Sequence, residues 1–248
     1  MLVWTLAGLA HFGQSWAAAL GVRHGVNEYV RGGDVIVVGW HKPAKCNALT
    51  AGADRRFIVW CGHDAERFAQ PATLRPDDVH LVANAELLPM LARWGIHAEV
   101  CWFPSALHPA PTPLPRVPHV IMYGGTEAYG LATFDTLRTL PGVRFTVWRY
   151  GDHTTEQVRE LIESSTCIIQ PGYLHGGIIV REAGEAGRLA VTTYDLPHTA
   201  KVAPGDAVAC RTAVEVALAR TGPDMEAARY WAEHNSVAAF KARVARFL

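Results

Sequence analysis

Four segments of the chain place residues capable of chemistry where an apolar run gives way to an amphipathic one. In Ile58-Val-Trp-Cys-Gly62-His63-Asp64-Ala-Glu66, the run ends in Gly-His-Asp. A histidine there can contact a substrate hydroxyl or exchange a proton; equally, His63 is a turn residue and Asp64 a helix cap. Leu81-Val-Ala-Asn84-Ala-Glu86 is built the same way, with Asn84 favoured as an N-cap. Tyr123-Gly124-Gly125-Thr126 follows the apolar run VPHVIMY, and its paired glycines let backbone approach a ligand so that the following amides can hold phosphate. The fourth segment runs from Gln170 through His175-Gly176-Gly177 and Glu182 to Gly187. A helix opening near 176–177 points its amides and the positive end of its dipole at an anion, which suits a diphosphate. Glu182, about a turn and a half in, is placed either to accept bonds from the two hydroxyls of a ribose or to sit as an exposed helix glutamate.

Other chemistries find little support. There is no GxSxG around a nucleophilic serine, and Ser105, Ser164 and Ser165 fall in a proline-rich stretch or near a helix end. The 12 histidines are scattered without metal-ligand spacing, so no metal site is expected. Lys+Arg and Asp+Glu total 23 each, and with a pI near 7.2 the chain carries no basic coat for nucleic acid. Arg55-Arg56 and Lys42 with Lys45 are modest basic spots. The five cysteines (46, 61, 101, 167 and 210) are odd in number, widely spaced and without CxxC. That pattern argues against a disulfide scaffold and for a reducing, cytoplasmic setting. The N-terminal MLVWTLAGLAHFG lacks a basic leader and is expected to be a buried first strand and its loop. No apolar run reaches the roughly 18 residues of a membrane span.

The elements that must position these residues follow from periodicity. With 248 residues, half of them apolar, the chain can fill the cores of one large or two small domains. Strands are expected at 2–6, 34–38, 56–61, 79–82, 98–102, 117–123, 144–148, 167–170 and 189–192. Most are unbroken apolar runs, the mark of parallel strands covered on both faces. Helices are expected at about 12–20, 85–94, 127–139, 155–164 and 178–186, with a C-terminal pair over 212–247. Their alternation with strands implies βαβ units and an α/β fold. Six prolines between 104 and 118 read as a surface loop or, preferably, an interdomain linker. Domains of 1–115 and 116–248 are therefore expected.

Taken in order, these segments resemble the GT-B nucleotide-sugar glycosyltransferases, particularly the retaining group numbered family 4. The closest stretch is Glu182-Ala-Gly-Glu-Ala-Gly-Arg-Leu-Ala-Val-Thr, similar to that family's donor-site helix and strand, E-A-M-A-x-G-x-P-V-V-A. Arg144–Gly151 and 156–170 resemble the segments preceding it, 227–240 the closing helices, and 79–104 the last strand–helix–strand of the acceptor domain. The resemblance implies two Rossmann-like parallel-sheet domains facing a cleft. It also implies transfer of a sugar from a nucleoside-diphosphate sugar with retention, without a cofactor or bound metal. In that reading Glu182 holds the ribose. The amides at Gly124, Gly125, Gly176 and Gly177, near His175, cradle the diphosphate with Arg149 or Lys201, and His63 and Asp64 sit at the reacting carbon. The acceptor stays open among a small molecule, glycan, protein or modified DNA base. Leu174 stands where the family commonly has a first carboxylate, and Tyr129-Gly130 where Lys-Gly is frequent. These departures keep two alternatives: a non-catalytic nucleotide-sugar- or partner-binding module, and a sugar-nucleotide epimerase.

Overall fold

The structure is a computed structural model, which describes residues 1–67, 69, 71–123, 135, 137–149, 152–170 and 177–248. Among these, two compact units are formed, one from residues 1–104 and 237–248, the other from 105–170 and 177–236. From sequence, the division was expected near 115.

The first unit is built on a six-stranded, fully parallel sheet in the order β2-β1-β3-β4-β5-β6. Its strands are β1 (Leu2–Thr5), β2 (Arg23–Val26), β3 (Val35–Val38), β4 (Arg56–Trp60), β5 (Val79–Val82) and β6 (Glu99–Val100). Every residue of β1, β3 and β4 is buried, as strands covered on both faces require. Between them lie α1 (Ala10–Leu20), α2 (Pro43–Thr50), α3 (His63–Arg67) and α4 (Leu88–Ala92). The final helix, α9 (Val237–Ala245), packs on this unit. The fully buried Trp16 of α1 meets the rings of Phe103 and Phe240 edge-on at 5.7 and 4.8 Å, and Arg243 lies 5.6 Å from the Trp102 ring.

The second unit carries a five-stranded parallel sheet in the order β11-β10-β9-β7-β8. Its strands are β7 (His119–Tyr123), β8 (Arg144–Trp148), β9 (Cys167–Gln170), β10 (Leu189–Thr192) and β11 (Thr199–Lys201). Side chains alternate between its two faces. Val120, Met122, Cys167, Ile169, Leu189 and Val191 pack with Cys210, Val214 and Ala217 of α7 (Ala207–Leu218). Ile121, Ile168 and Ala190 pack with α5 (Thr155–Glu163) and α6 (Ile178–Glu185). Helix α5 starts at a capping box, Thr154 Oγ1 accepting from the Gln157 amide and Gln157 Oε1 from the Thr154 amide. Helix α8 (Met225–Asn235) crosses α6 and is capped by the Asp224 carboxylate.

The strands read from apolar runs appear within two residues in the described chain, apart from β6, which shortens to two residues; helices 12–20, 155–164 and 178–186 agree as closely, 85–94 appears as a 3-10 turn followed by α4 (Leu88–Ala92), and the C-terminal helices begin at Ala207 instead of 212. Expected helix 127–139 lies mostly outside the described residues, which include only 135 and 137–139 of it. Strands β2 (RHGV) and β11 (TAK) are absent from the sequence reading because they are short and, apart from Gly25, not buried, so neither is written as an apolar run. The expected C-terminal pair resolves into α7, α8 and α9, interrupted at 219–224 and at Ser236.

Glycine sets the fit of α6. A Cβ on Gly184 would lie 2.1 Å from Cδ1 of Trp231, a fully buried ring of α8. Gly184→Ala is therefore expected to destabilise the protein by about 1–3 kcal/mol through overpacking, read as a lower urea midpoint at unchanged m-value. A midpoint at or above that of the parent would refute this packing. Gly187 ends the helix at φ 70°, and its carbonyl accepts the Asp224 amide at 2.9 Å.

Candidate functional site

In parallel α/β sheets ligands gather beyond the carboxyl ends of the strands, and in the second unit that edge is organised around β9 and α6. Gly177, left-handed at φ 62°, occupies the N-cap of α6 without any side-chain cap. The first-turn amides of an α-helix have no intrahelical carbonyl to bond, so such an opening can hold an anion. Arg149 follows β8 directly and is exposed; Lys201 ends β11 and is ion-paired with Asp195 at 3.0 Å. In the strand order both stand two strands from β9, on opposite sides and about 10 Å away. Gly124, Gly125, His175 and Gly176 lie outside the described residues.

Glu182 is buried at 3% exposure, not the exposed helix glutamate that the sequence also allowed. Its Oε1 accepts the Ser105 hydroxyl at 2.9 Å, and its carboxyl also accepts the Ala106 amide. Burial pushes its pKa up to about 7, with Glu185 adding to the rise; Ser105, Arg181 and Ala106 pull the other way. One turn on, Glu185 meets the His108 ring nitrogen Nδ1 at 3.0 Å through Oε1, and accepts Asn235 Nδ2 at 3.0 Å through Oε2. Asn235 in turn accepts Arg181 Nη1 at 2.8 Å. Two acids of one helix face thus hold the 105–108 segment.

The segment beyond it is tied down by Arg188 and Glu163. Arg188 donates to the Thr112 carbonyl at 2.8 Å, to Thr112 Oγ1 at 2.5 Å and to the Glu163 carbonyl. Glu163 Oε1 accepts the Ala110 amide at 2.9 Å. Burial lowers the Arg188 pKa to about 10. The proline-rich stretch is accordingly a strap bonded to the second unit over residues 105–112.

Sequence reasoning missed Ser105, His108, Glu185, Asn235 and Arg188 as parts of this assembly. The one local signal was Glu185, an acid three residues after Glu182 and so on the same helix face, where the resembling pattern has alanine. Nothing local marks Ser105, because its partner is 77 residues away.

In the first unit, His63 opens α3 at the carboxyl end of β4, with Nδ1 3.5 Å from Glu66 Oε2 and about a third of its side chain exposed. Asp64 is fully buried. Its Oδ1 accepts the amides of Cys61, Gly62 and Ala65 at 2.9, 2.8 and 3.1 Å, and its Oδ2 accepts the Trp40 amide at 2.9 Å. Those four bonds match the roughly four acceptor sites of a carboxylate, so Asp64 fastens the end of β4 to the residue beyond β3 and thereby places His63. Asn84 stands at the N-cap of a 3-10 turn (Ala85–Leu87), but its side chain is buried and makes no capping bond.

No family model matches the chain, and no curated protein matches it. Solved structures do. Sucrose-phosphate synthase from Thermosynechococcus elongatus superposes with a TM-score of 0.67 at 14% identity, over 94% of this chain and 75% of that one. AviGT4, a glycosyltransferase involved in avilamycin A biosynthesis, superposes at 0.61 and 13% identity, over 99% and 96%. A variant of S. aureus TarM, in a complex that includes UDP, superposes at 0.63 and 13% identity. The match covers 86% of this chain, which spans about half of TarM (55%). The two units, each a parallel-sheet α/β layer structure, have the fold of the GT-B glycosyltransferases. Among the described residues no helix is long and apolar enough to cross a membrane.

Proposed function

We propose that the chain is a glycosyltransferase taking its sugar from a nucleoside-diphosphate sugar, with retention at the transferred carbon. The observation that carries this reading is Glu182: a buried carboxyl on the helix that follows β9, in a fold shared along nearly the whole chain with a glycosyltransferase of similar extent. Ser105 and Ala106 use two of about four acceptor sites on that carboxyl, and a ribose diol needs two. The diphosphate lies against the amides opening α6, with Gly124, Gly125, His175 and Gly176 alongside. Arg149 or Lys201 offsets its charge, so the departing diphosphate is stabilised as it leaves. His63 contacts the sugar or the leaving group, and Asp64 acts by placing it. The acceptor is a small molecule, glycan, protein or modified DNA base, and the setting is cytoplasmic.

A second reading, binding of a nucleotide sugar without turnover, is favoured by Leu174 at the place of the family's first carboxylate. One panel tests both. UDP, ADP, GDP and dTDP, and their sugars, are screened by thermal shift, with released nucleotide assayed in parallel. One nucleotide family is expected to raise Tm by several degrees at a hundredfold excess over Kd, where the stabilisation is about 2.7 kcal/mol, and its sugar to be slowly hydrolysed or transferred. Binding without any release selects the second reading; no shift with any nucleotide defeats both.

A further inference from the structure

The strap that begins the second unit is held by the helix assigned to the nucleotide, and the contact is made by a side chain rather than by packing alone. Ser105 is 6% exposed, and its hydroxyl has its acceptor on Glu182 Oε1 at 2.9 Å. The Ala106 amide bonds the same carboxyl, so consecutive residues of the strap address one group. Three residues along, His108 reaches Glu185, at a left-handed φ of 42° that a residue with a Cβ adopts only when its surroundings hold it there. The strap is thus bonded at both ends of a single helical turn.

We propose that Ser105 is a positioning residue of the nucleotide site, its hydroxyl fixing the Glu182 carboxylate in the rotamer that presents its remaining acceptor sites to the ribose. This rests on the reading of Glu182 as the ribose-holding group. A hydrogen bond from a neutral hydroxyl to a carboxylate favours the ionised form, which is also the form that accepts two ribose hydroxyls. Among the described residues, the charged and titratable groups around the carboxyl are Arg181 and Glu185 on α6 and, through Glu185, His108 on the strap; Asn235 of α8 joins Arg181 to Glu185. Of the groups bonded to Glu182 among the described residues, only Ser105 has a side-chain donor that substitution can delete without changing a charge.

The test uses the full chain and the nucleoside diphosphate that gives the largest shift in the panel above. Its Kd is measured by calorimetry from pH 5.5 to 9 for the parent, Ser105→Ala, Ser105→Thr and Glu182→Gln. Ser105→Ala is expected to weaken binding about tenfold at pH 7, the worth of one hydrogen bond to a charged group. The pH at which binding becomes tight should also move upward, because the lost bond favoured ionisation. Ser105→Thr, which keeps the hydroxyl, should restore both to within about twofold of the parent. If Glu182→Gln weakens binding but Ser105→Ala leaves both Kd and its pH midpoint unchanged, the Ser105 assignment is overturned and the nucleotide reading stands. If Glu182→Gln binds like the parent, the nucleotide reading of Glu182 falls and the role of Ser105 falls with it. A loss in Ser105→Ala that is equal at every pH and not rescued by threonine would mark a merely structural serine and also overturn the proposal.

Discussion

Glu182→Gln is expected to bind nucleoside diphosphates roughly tenfold to a hundredfold more weakly than the parent chain, and yet to be the more stable protein above pH 7. Both effects come from one carboxyl. Glutamine keeps an acceptor for the Ser105 hydroxyl but loses the charge that strengthens bonds from two ribose hydroxyls. The stability effect follows from the raised pKa, about 7 in the folded chain against an ordinary 4.5. Below 4.5 both folded and unfolded chains carry the proton, and the group takes nothing from stability. Between 4.5 and about 7 the unfolded chain ionises while the folded one resists, so stability falls as pH rises. Above about 7 the loss is complete, on the order of 3 kcal/mol for a shift of that size. Glutamine does not titrate and escapes it. In melting scans the variant should gain on the parent by roughly 5–10 °C between pH 4.5 and pH 8. A gap that stays constant across that range would show that Glu182 is not held as described.

A loss of about 3–5 kcal/mol is expected for Asp78→Ala, at the opposite end of the first sheet. Arg56 opens β4 and Asp78 immediately precedes β5, and both side chains are fully buried. Two parallel bonds join them, from Nε to Oδ1 at 2.7 Å and from Nη2 to Oδ2 at 2.5 Å. Asn47 and Thr50 of α2 take Nη1 at 2.7 and 3.4 Å, and the guanidinium lies 5.4 Å from the Trp40 ring. Removing the carboxylate leaves a cation with no counter-charge in a dry place, and it also frees the Arg75 amide that Asp78 accepts at 2.7 Å. Replacing the pair together, Arg56→Met with Asp78→Leu, should recover much of the loss, because the penalty belongs to the orphaned charge and not to the absence of an ion pair. Denaturant midpoints of the three proteins decide it. An Asp78→Ala variant within about 1 kcal/mol of the parent would contradict the burial on which this rests. The pair sits at the amino ends of the strands, where the fold is braced, while His63 and Asp64 stand at the carboxyl end of β4.

The strands of both sheets were legible wherever a run is apolar on both faces. β3, β4, β9 and β10 are such runs, and a buried parallel strand has few other ways to be written. Gly177 and Gly187, which bracket α6, were legible too, because a left-handed cap and stop call for glycine. Strands β2 and β11 were not, since both are short and largely unburied and carry no apolar run. Helix α2, which opens with Pro43 at its first turn, was read only as a basic spot because it has little amphipathic contrast.

Residue types and order alone determined that the chain is an α/β protein with a glycine-capped helix bearing an acid after its eighth apolar run, because periodicity and backbone restriction are local properties. The same local information left Glu182 open between an exposed and a buried position, and Asp64 without known partners. Tertiary structure decided their surroundings: it buried Glu182 beneath Ser105 and Ala106, filled Asp64 with four amides, and drew Arg56 and Asp78 into a dry pair. A carboxyl's chemistry depends on what donors and how much water surround it. Those neighbours come from residues up to 77 positions away in the chain.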